Sequence, residues 1–343
     1  MSDFSLLNRR GVLESLLEEE LSFDATTSRG LTNHLPMALV AKSGLGASNE
    51  ELRRFANTYR RRLVERGRPV TVLTGATWKS AIGVAGTYED LCEYFMKAVD
   101  EAGPEATIRS HLDAVTPGIC GAAFHGALRL AYALEISSPP RIAAGLAYLA
   151  ESAVSLGEPL PRATSRHDVD DAFSQLSRSG NYASLAARGL ISDEMQDVAA
   201  LPSFRATVAN CHVDDDAPQR LRVAALALFA TTGDFTSLHA VTGVEALHAI
   251  RPYANDVRAF DVACLTGVAA AYATVGAPVF TSSDQLAQFS GGHVVPTETI
   301  AAAGATSDDE HVSKLVYSAL RLRESTGDDL YVAVAARKAG LLD

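Results

Sequence analysis

Apolar residues recur every three or four positions along most of the chain, which is the spacing of one face of an α-helix. The segment 50–66 is a clear case, because Leu52, Phe55 and Tyr59 fall on one face and arginines fall on the other. Clean alternation of five or more residues, which is typical of β-strands, is hard to find. The pattern therefore predicts an all-α, multi-helix fold. Further helices are predicted over 88–102, 121–136, 140–156, 218–232, 235–250, 261–276 and 311–324.

Two irregular stretches interrupt this helical pattern. The polar stretch 158–171 carries two prolines and a mixed run of charges, so it is predicted to be a surface excursion. The stretch 282–307 contains Gly291, Gly292 and Pro296 and is predicted to be a lid or a long loop. No repeat of fixed period is present. We therefore predict one helical domain over residues 1–343 with a buried, histidine-lined cavity.

Composition narrows the possible partners. The 343 residues carry 30 Lys and Arg against 41 Asp and Glu, and this net charge of -11 argues against a nucleic-acid binder. The longest uncharged segment, 262–283, is rich in alanine and contains Pro278, so a buried helix is expected there rather than a membrane span. The first residues lack the basic start and apolar run of a signal peptide, and a cytoplasmic location is expected. Nothing in the sequence specifies an oligomeric state.

Two histidines lie inside apolar helical runs, where a solvated imidazole would be out of place. His125 lies between Gly121 and Gly126, and Tyr132 follows two turns later on the same helix face. His239 occupies a similar run. Each histidine is either a core residue satisfied by hydrogen bonds or a ligand in a functional site, and the sequence leaves both interpretations open.

Two further candidates lie at helix starts. His34 falls in the first turn of a helix that Pro36 can help to start, so its side chain is well placed to face a cleft. His311 and Lys314 are three residues apart and share a helix face. In one interpretation Lys314 reaches surface carboxylates such as those of Asp309 and Glu310. In the other, His311 binds a metal and Lys314 contributes as a neutral amine or after modification by carbon dioxide.

Other motifs carry less weight. His167 and Asp168 resemble the doublet of helical metal-dependent phosphohydrolases, but they lie in the polar excursion and lack a preceding histidine pair. The four cysteines form no C-x-x-C pair, which favours reduced core thiols over a zinc site. No G-x-S-x-G motif is present.

In combination, these landmarks resemble the questin oxidase-like family of helical oxygenases, which act on anthraquinones and related polyketide aromatics of secondary metabolism. They follow the family's order from about residue 30 to residue 320. The matching positions are Asn33 to Leu39, Leu45 to Ala47, Phe55, Tyr59, Trp78, Gly83, Tyr88, Phe95, Gly121 to Gly126, Leu128, Leu130, Tyr132 to Glu135, Leu238 to Thr242 and Asp309 to Lys314.

The resemblance implies oxidative ring cleavage, either Baeyer–Villiger-like or by metal-dependent dioxygenation, of an aromatic substrate with O2. It also implies a non-haem iron centre rich in histidine. No flavin or NAD fingerprint is present, so either the metal or the electron-rich substrate must activate oxygen. Carried over by position, the iron ligands are His34, His125, His239, His311 and Lys314, the last as a carbamate. The expected catalytic residues are His125, His239, Lys314 and Tyr132.

The chain also departs from the family's pattern. It is shorter than many members after His125, so the substrate is carried over less securely than the fold. Arg129 stands where a polar residue or a histidine would also fit the pattern, and His111 and His293 are reserve ligands.

Two other functions stay open at this point. A non-catalytic helical protein that binds an aromatic polyketide would need no metal and would consume no oxygen. A metal hydrolase would depend on His167 and Asp168.

Overall fold

A computed structural model describes residues 3–157, 167–179, 182, 189–280 and 295–342. These residues are mostly helical, which confirms the all-α prediction, and they include one two-stranded antiparallel sheet. None of the described helices is both long and apolar enough to cross a membrane. The helices are α1 (Asp3–Glu20), α2 (Leu35–Gly44), α3 (Asn49–Tyr59), α4 (Tyr88–Ala102), α5 (Pro104–Val115), α6 (His125–Glu135), α7 (Pro139–Glu151), α8 (Val169–Ser179), α9 (Ile191–Ala199), α10 (Pro202–Asn210), α11 (Ala217–Thr232), α12 (Phe235–Ile250), α13 (Val257–Thr274), α14 (Thr297–Thr306), α15 (Glu310–Thr326) and α16 (Leu330–Lys338).

The described residues fall into two compact units. Unit 1 contains residues 3–70 and 295–342, and unit 2 contains the described residues from 71 to 280. The predicted excursion (158–171) and the predicted lid (282–307) are described only in part, and within the latter residues 297–306 form α14. His293 lies outside the described residues. That the chain forms one domain stays a prediction.

Unit 1 is built around α2 and α15, which pack against each other, while α15 also packs against α14 and α16. Helix α2 buries nearly all of its residues, among them Leu35, Met37 and Leu39. Gly44 permits the close approach of α15, because a Cβ atom there would lie 2.2 Å from the Tyr317 ring. This packing brings residues from the two ends of the sequence into one core.

The sheet in unit 1 corrects the predicted helix over 50–66. Helix α3 begins after Ser48, which forms a capping box with Glu51, but it ends at Tyr59. The chain then makes a 3₁₀ turn and enters β2 (Leu63–Glu65), which pairs with β1 (Phe23–Thr27). Main-chain pairing with a strand about 40 residues earlier overrides the helical spacing, since a short strand is stabilised by its partner rather than by local pattern.

Unit 2 is a set of packed helices in which α7 contacts α4 and α6, and α12 contacts α6, α11 and α13. Helices α6 and α7 approach closely: a Cβ atom on Gly145 would lie 2.8 Å from the Leu130 Cα atom. The predicted bounds 88–102 and 235–250 match α4 and α12. The predicted helix over 121–136 instead begins at His125, because the residues before it adopt a left-handed backbone.

Candidate metal centre

His34 lies at the start of α2, where it occupies the N-cap position and is buried. Its backbone N–H donates to the Tyr59 hydroxyl at 2.9 Å, and Asn33 Oδ1 accepts from Leu35 N at 3.0 Å. Pro36 occupies the first turn, as the sequence predicts. These contacts fix the backbone on both sides of His34. Burial also raises the pKa of Tyr59, which therefore stays a neutral phenol.

The first turn of α15 carries the second group of candidate residues. Asp309, rather than Ser307 or Asp308, is the N-cap, and its carboxylate accepts from the His311 backbone N–H at 2.8 Å. The same carboxylate accepts from His311 Nδ1 at 2.9 Å. This second bond holds the pKa of Asp309 well below its usual range, and it fixes a proton on Nδ1 so that Nε2 carries the lone pair. Burial lowers the pKa of His311, although Asp309 opposes this shift.

These two helix starts meet within unit 1. Ligand atoms of His34, Glu310 and His311 all lie within 4.8 Å of one another, which makes them the one such three-residue group found in the described part of the chain. The His34 and His311 rings meet edge to face with centroids 4.8 Å apart. Glu310 Oε1 lies 3.7 Å from His34 Nδ1, and it accepts from Arg62 Nη1 at 3.2 Å. We call these three residues the unit 1 cluster.

Lys314 completes the surroundings of the unit 1 cluster. Its side chain is fully buried, and Nζ lies 3.4 Å from His34 Nδ1. Lys314 therefore lies in the interior rather than at the surface, and the two interpretations drawn from the sequence both stay open. Burial lowers the pKa of Lys314 to about 8, although Glu310 and Asp309 raise it. A substantial share of this amine is consequently neutral near physiological pH.

His125 and His239 form a second pair, in unit 2. Their ring centroids are 4.9 Å apart, and both side chains are buried. His125 Nδ1 lies 2.5 Å from the Ala122 carbonyl oxygen, and His239 Nδ1 lies 2.8 Å from the Phe235 carbonyl oxygen. Because a carbonyl oxygen only accepts, each Nδ1 carries a proton, and each neutral ring keeps its lone pair on Nε2. This is the tautomer of a histidine that binds a metal through Nε2.

An unusual backbone positions His125. Ala122, Ala123 and Phe124 have φ angles of 47°, 52° and 69°, so three consecutive residues without glycine are left-handed. The Phe124 ring fills the space beside Gly243 of α12, where a Cβ atom would lie 2.4 Å from it. The bend directs the Ala122 carbonyl towards His125 Nδ1. Packing against α12 therefore holds the histidine in place.

The other predicted residues have different surroundings. Tyr132 is buried on α6, two turns after His125. His111 lies in an aromatic cluster, with Nε2 2.8 Å from the Tyr94 hydroxyl and Nδ1 2.7 Å from the Thr107 carbonyl. Both of its nitrogens are therefore engaged by protein groups.

The phosphohydrolase motif is built into a helix start. His167 pairs with Cys211 through the backbone, and Asp168 accepts from the Asp171 N–H at 2.8 Å. Asp168 also forms an ion pair with Arg220. Asp168 is therefore held by a helix start and an arginine.

The donors of the unit 1 cluster fit a divalent transition metal. Two imidazoles and one carboxylate are the protein ligands of the facial site that binds non-haem ferrous iron. Asp309 supplies the hydrogen bond that commonly orients a metal-binding histidine. The resemblance alone implies that His125 and His239 bind the same ion. This stays a prediction.

Glu310 is the residue that the sequence reasoning missed. It directly precedes His311 and lies four residues before Lys314, so the three share the first turns of one helix. That spacing was available in the sequence, but an acidic residue at a helix start is usually explained by the helix dipole. Only the contact with His34 shows that Glu310 belongs to the unit 1 cluster and is more than an acidic residue at a helix start.

Comparison with known proteins gives one family. The sequence profile described as Questin oxidase-like matches residues 31–319, a range that contains His34, His125, His239, His311 and Lys314. No curated protein matches the chain. Membership of this family suggests an oxygenase. Since the match covers most of its length, the chain belongs to the Questin oxidase-like family.

Proposed function

We propose that this protein is a non-haem iron oxygenase that oxidatively cleaves a polycyclic aromatic ketone or quinone, or oxidises it in a Baeyer–Villiger-like reaction. The observation that carries the proposal is the unit 1 cluster of His34, Glu310 and His311 beside the buried Lys314. Family membership supports the class of reaction. Secondary metabolism and an anthraquinone-like substrate belong to the proposal.

Each residue of the cluster has a distinct role in this proposal. His34 and His311 supply imidazole nitrogens, and Glu310 supplies a carboxylate oxygen that Arg62 orients by a hydrogen bond of 3.2 Å. Asp309 fixes the tautomer of His311. Bound iron would supply an open coordination position at which O2 and an electron-rich substrate can react.

Lys314 has two possible chemical forms in this proposal. As an ammonium ion it donates to His34 Nδ1, whereas a neutral amine can add carbon dioxide through a new N–C bond, release one proton and become an anionic carbamate ligand. A pKa of about 8 supports the second form, because only the neutral amine reacts with carbon dioxide. Protein loaded with ¹³C-bicarbonate should then show a carbamate carbon resonance that is absent from Lys314→Met. A spectrum identical to that of Lys314→Met would exclude the carbamate.

Iron content is the first test. Protein purified without chelator, or reconstituted with ferrous ion, should hold near-stoichiometric iron by elemental analysis. Glu310→Gln and His311→Ala should each lose most of it, whereas Glu298→Gln, which changes an exposed glutamate of unit 1, should not. Folding of each variant is checked by circular dichroism. Wild-type protein that binds no iron would refute the iron mechanism and favour a ligand-binding protein.

The second histidine pair is tested by the same measurement. If His125 and His239 belong to the iron site, His239→Ala loses iron, while His248→Ala on the same helix does not. His248 is the matched control because it is exposed. Full iron content in folded His239→Ala would remove His239 from the ligand set.

Oxygen consumption tests the reaction itself. Iron-loaded protein should consume O2 in the presence of a hydroxyanthraquinone, and Glu310→Gln should not. Iron-loaded protein that consumes no O2 with any of a panel of polycyclic phenols and quinones would refute the proposed substrate class.

A further inference from the structure

Unit 2 contains a cavity of about 440 Å³ beside α10, the start of α13 and the segment 116–120. Its wall is mainly apolar and includes Ile119, Phe204 and Val262. Pockets for small organic molecules usually have volumes of about 300–1,000 Å³. Neither His125 nor His239 is part of this wall. The cavity therefore offers room for an organic molecule at a place separate from the histidine pair.

The charges around the cavity favour an anion. Arg205 and Arg258 contribute to its wall, against the single carboxylate of Asp256. Asp256 is the N-cap of α13, and its carboxylate accepts from the Ala259 N–H at 2.9 Å. Arg258 is the exposed one of these two arginines. In a chain with a net charge of -11, a wall with two arginines and one carboxylate is a local excess of positive charge.

We propose that this cavity binds an apolar organic anion, in which a carboxylate, sulfonate or phenolate faces the arginines and the apolar body fills the cavity. A body of two or three fused rings, or an alkyl chain of similar size, is compatible with the volume. Guanidinium groups are suited to the anionic head because they offer several donors in a plane. This inference stands independently of the iron site.

The probe is 8-anilinonaphthalene-1-sulfonate, a fluorescent apolar anion, titrated into the full chain before any ferrous ion is added. We expect one site per chain. Ala209→Trp places an indole in the cavity and should weaken binding at least tenfold. Ala206→Trp makes the same change on the exposed side of α10 and should leave the affinity within twofold of wild type. Equal affinities of the two variants would overturn the assigned site.

The anionic part of the proposal is tested with a second probe, N-phenyl-1-naphthylamine, which has the same ring system without the sulfonate. Arg258→Ala should weaken binding of the sulfonate up to about fivefold and leave the neutral probe unchanged, since exposed ion pairs contribute modestly. Arg53→Ala, a change of an exposed arginine in unit 1, is the control. An equal effect of Arg258→Ala on both probes, or none on either, would overturn the charge argument.

Competition distinguishes the two kinds of ligand body. Displacement of the bound sulfonate by 2-naphthoate indicates a site for fused rings, and displacement by decanoate indicates a site for an alkyl chain. Failure of both carboxylates to displace it would overturn the proposal. Because these titrations need no iron, their outcome is independent of the outcome of the iron measurements.

Discussion

The backbone just before His125 is left-handed at three consecutive residues that carry a Cβ atom. A left-handed conformation costs roughly 1–2 kcal/mol for a residue with a Cβ atom, and Ala122, Ala123 and Phe124 adopt it in succession. Such strain persists only where packing enforces it, and here Phe124 is wedged beside Gly243. The strain therefore serves to place one imidazole.

Glycine at Ala122 should relieve part of this strain. We expect Ala122→Gly to raise the free energy of unfolding by about 0.5–1 kcal/mol, because glycine accepts a positive φ without penalty. The matched control is Ala131→Gly, at a similarly half-buried position inside α6, which should lower it by about 1 kcal/mol. Urea unfolding measures the free energy of unfolding of both variants. A loss of stability in Ala122→Gly as large as that in the control would show that the position is not strained.

Lys314 should leave a signature in the dependence of stability on pH. Its folded pKa of about 8 lies below the ordinary value of 10.5, so between these values the unfolded chain binds more protons than the folded chain. This lysine therefore makes stability rise with pH over that window, by at most about 1.4 kcal/mol per pH unit. Below pH 8 Lys314 is charged in the folded chain, and the burial of that charge lowers the free energy of unfolding by its full amount.

The measurement compares urea unfolding at pH 7.0 and pH 9.5. We expect Lys314→Met to be stabilised relative to wild type at pH 7.0 and to lose that advantage at pH 9.5. Lys97 is the control, because its side chain is 76% exposed. The free energy of unfolding of Lys97→Met should differ from that of wild type by the same amount at both pH values. The same pH dependence in wild type and Lys314→Met would contradict the lowered pKa.

At the scale of elements, one buried lysine joins three helices. Lys42 of α2 donates from Nζ to the carbonyl oxygens of Ala305, at 3.0 Å, and Ser307, and it lies 4.5 Å from the centre of the Phe55 ring of α3. The two carbonyls belong to the end of α14 and to the turn that leads into α15. Lys42 therefore holds the turn immediately before Asp309.

We expect Lys42→Met to loosen this turn, because two carbonyl groups lose their donor. Hydrogen exchange should become at least several-fold faster in peptides that cover residues 303–312, and iron affinity should fall with it. Lys97→Met serves again as the control. Unchanged exchange in these peptides would show that Arg54, which forms an ion pair with Asp308, is sufficient to hold the turn.

Helical spacing predicted the elements well where packing agrees with local preference. Helices α4 and α12 have the predicted bounds because their apolar stripes face neighbouring helices throughout. The prediction failed at β2 and before His125, where distant partners decide the backbone. No local pattern specifies that Leu63 pairs with Thr27 or that Phe124 packs beside Gly243.

The same limit applies to the site. A spacing of three residues predicts that His311 and Lys314 share one face of α15. Their meeting with His34 rested on the family resemblance, since a contact across 280 residues leaves no periodic signal in one sequence. Glu310 was missed because its local role as a helix-start acid is already sufficient to explain it.

At the scale of the whole molecule, unit 1 is assembled from both ends of the sequence. We expect a chain that stops at residue 294, and so lacks α14 to α16, to lose the hydrogen-exchange protection of α1 to α3. Helices α4 to α13 have a core of their own and should stay protected. A chain that stops at residue 338 is the control. Full protection of α2 in the shorter chain would contradict this assembly.

The distance along the sequence between His34 and Lys314 also has a consequence for biosynthesis. Translation reaches Lys314 280 residues after His34, so over most of that interval the nascent chain carries His34 without Glu310 or His311. In the iron proposal, a metal ion that needs ligands from both helix starts would bind only after the first turns of α15 have been made. A product that terminates before residue 310 would then bind no metal at this cluster.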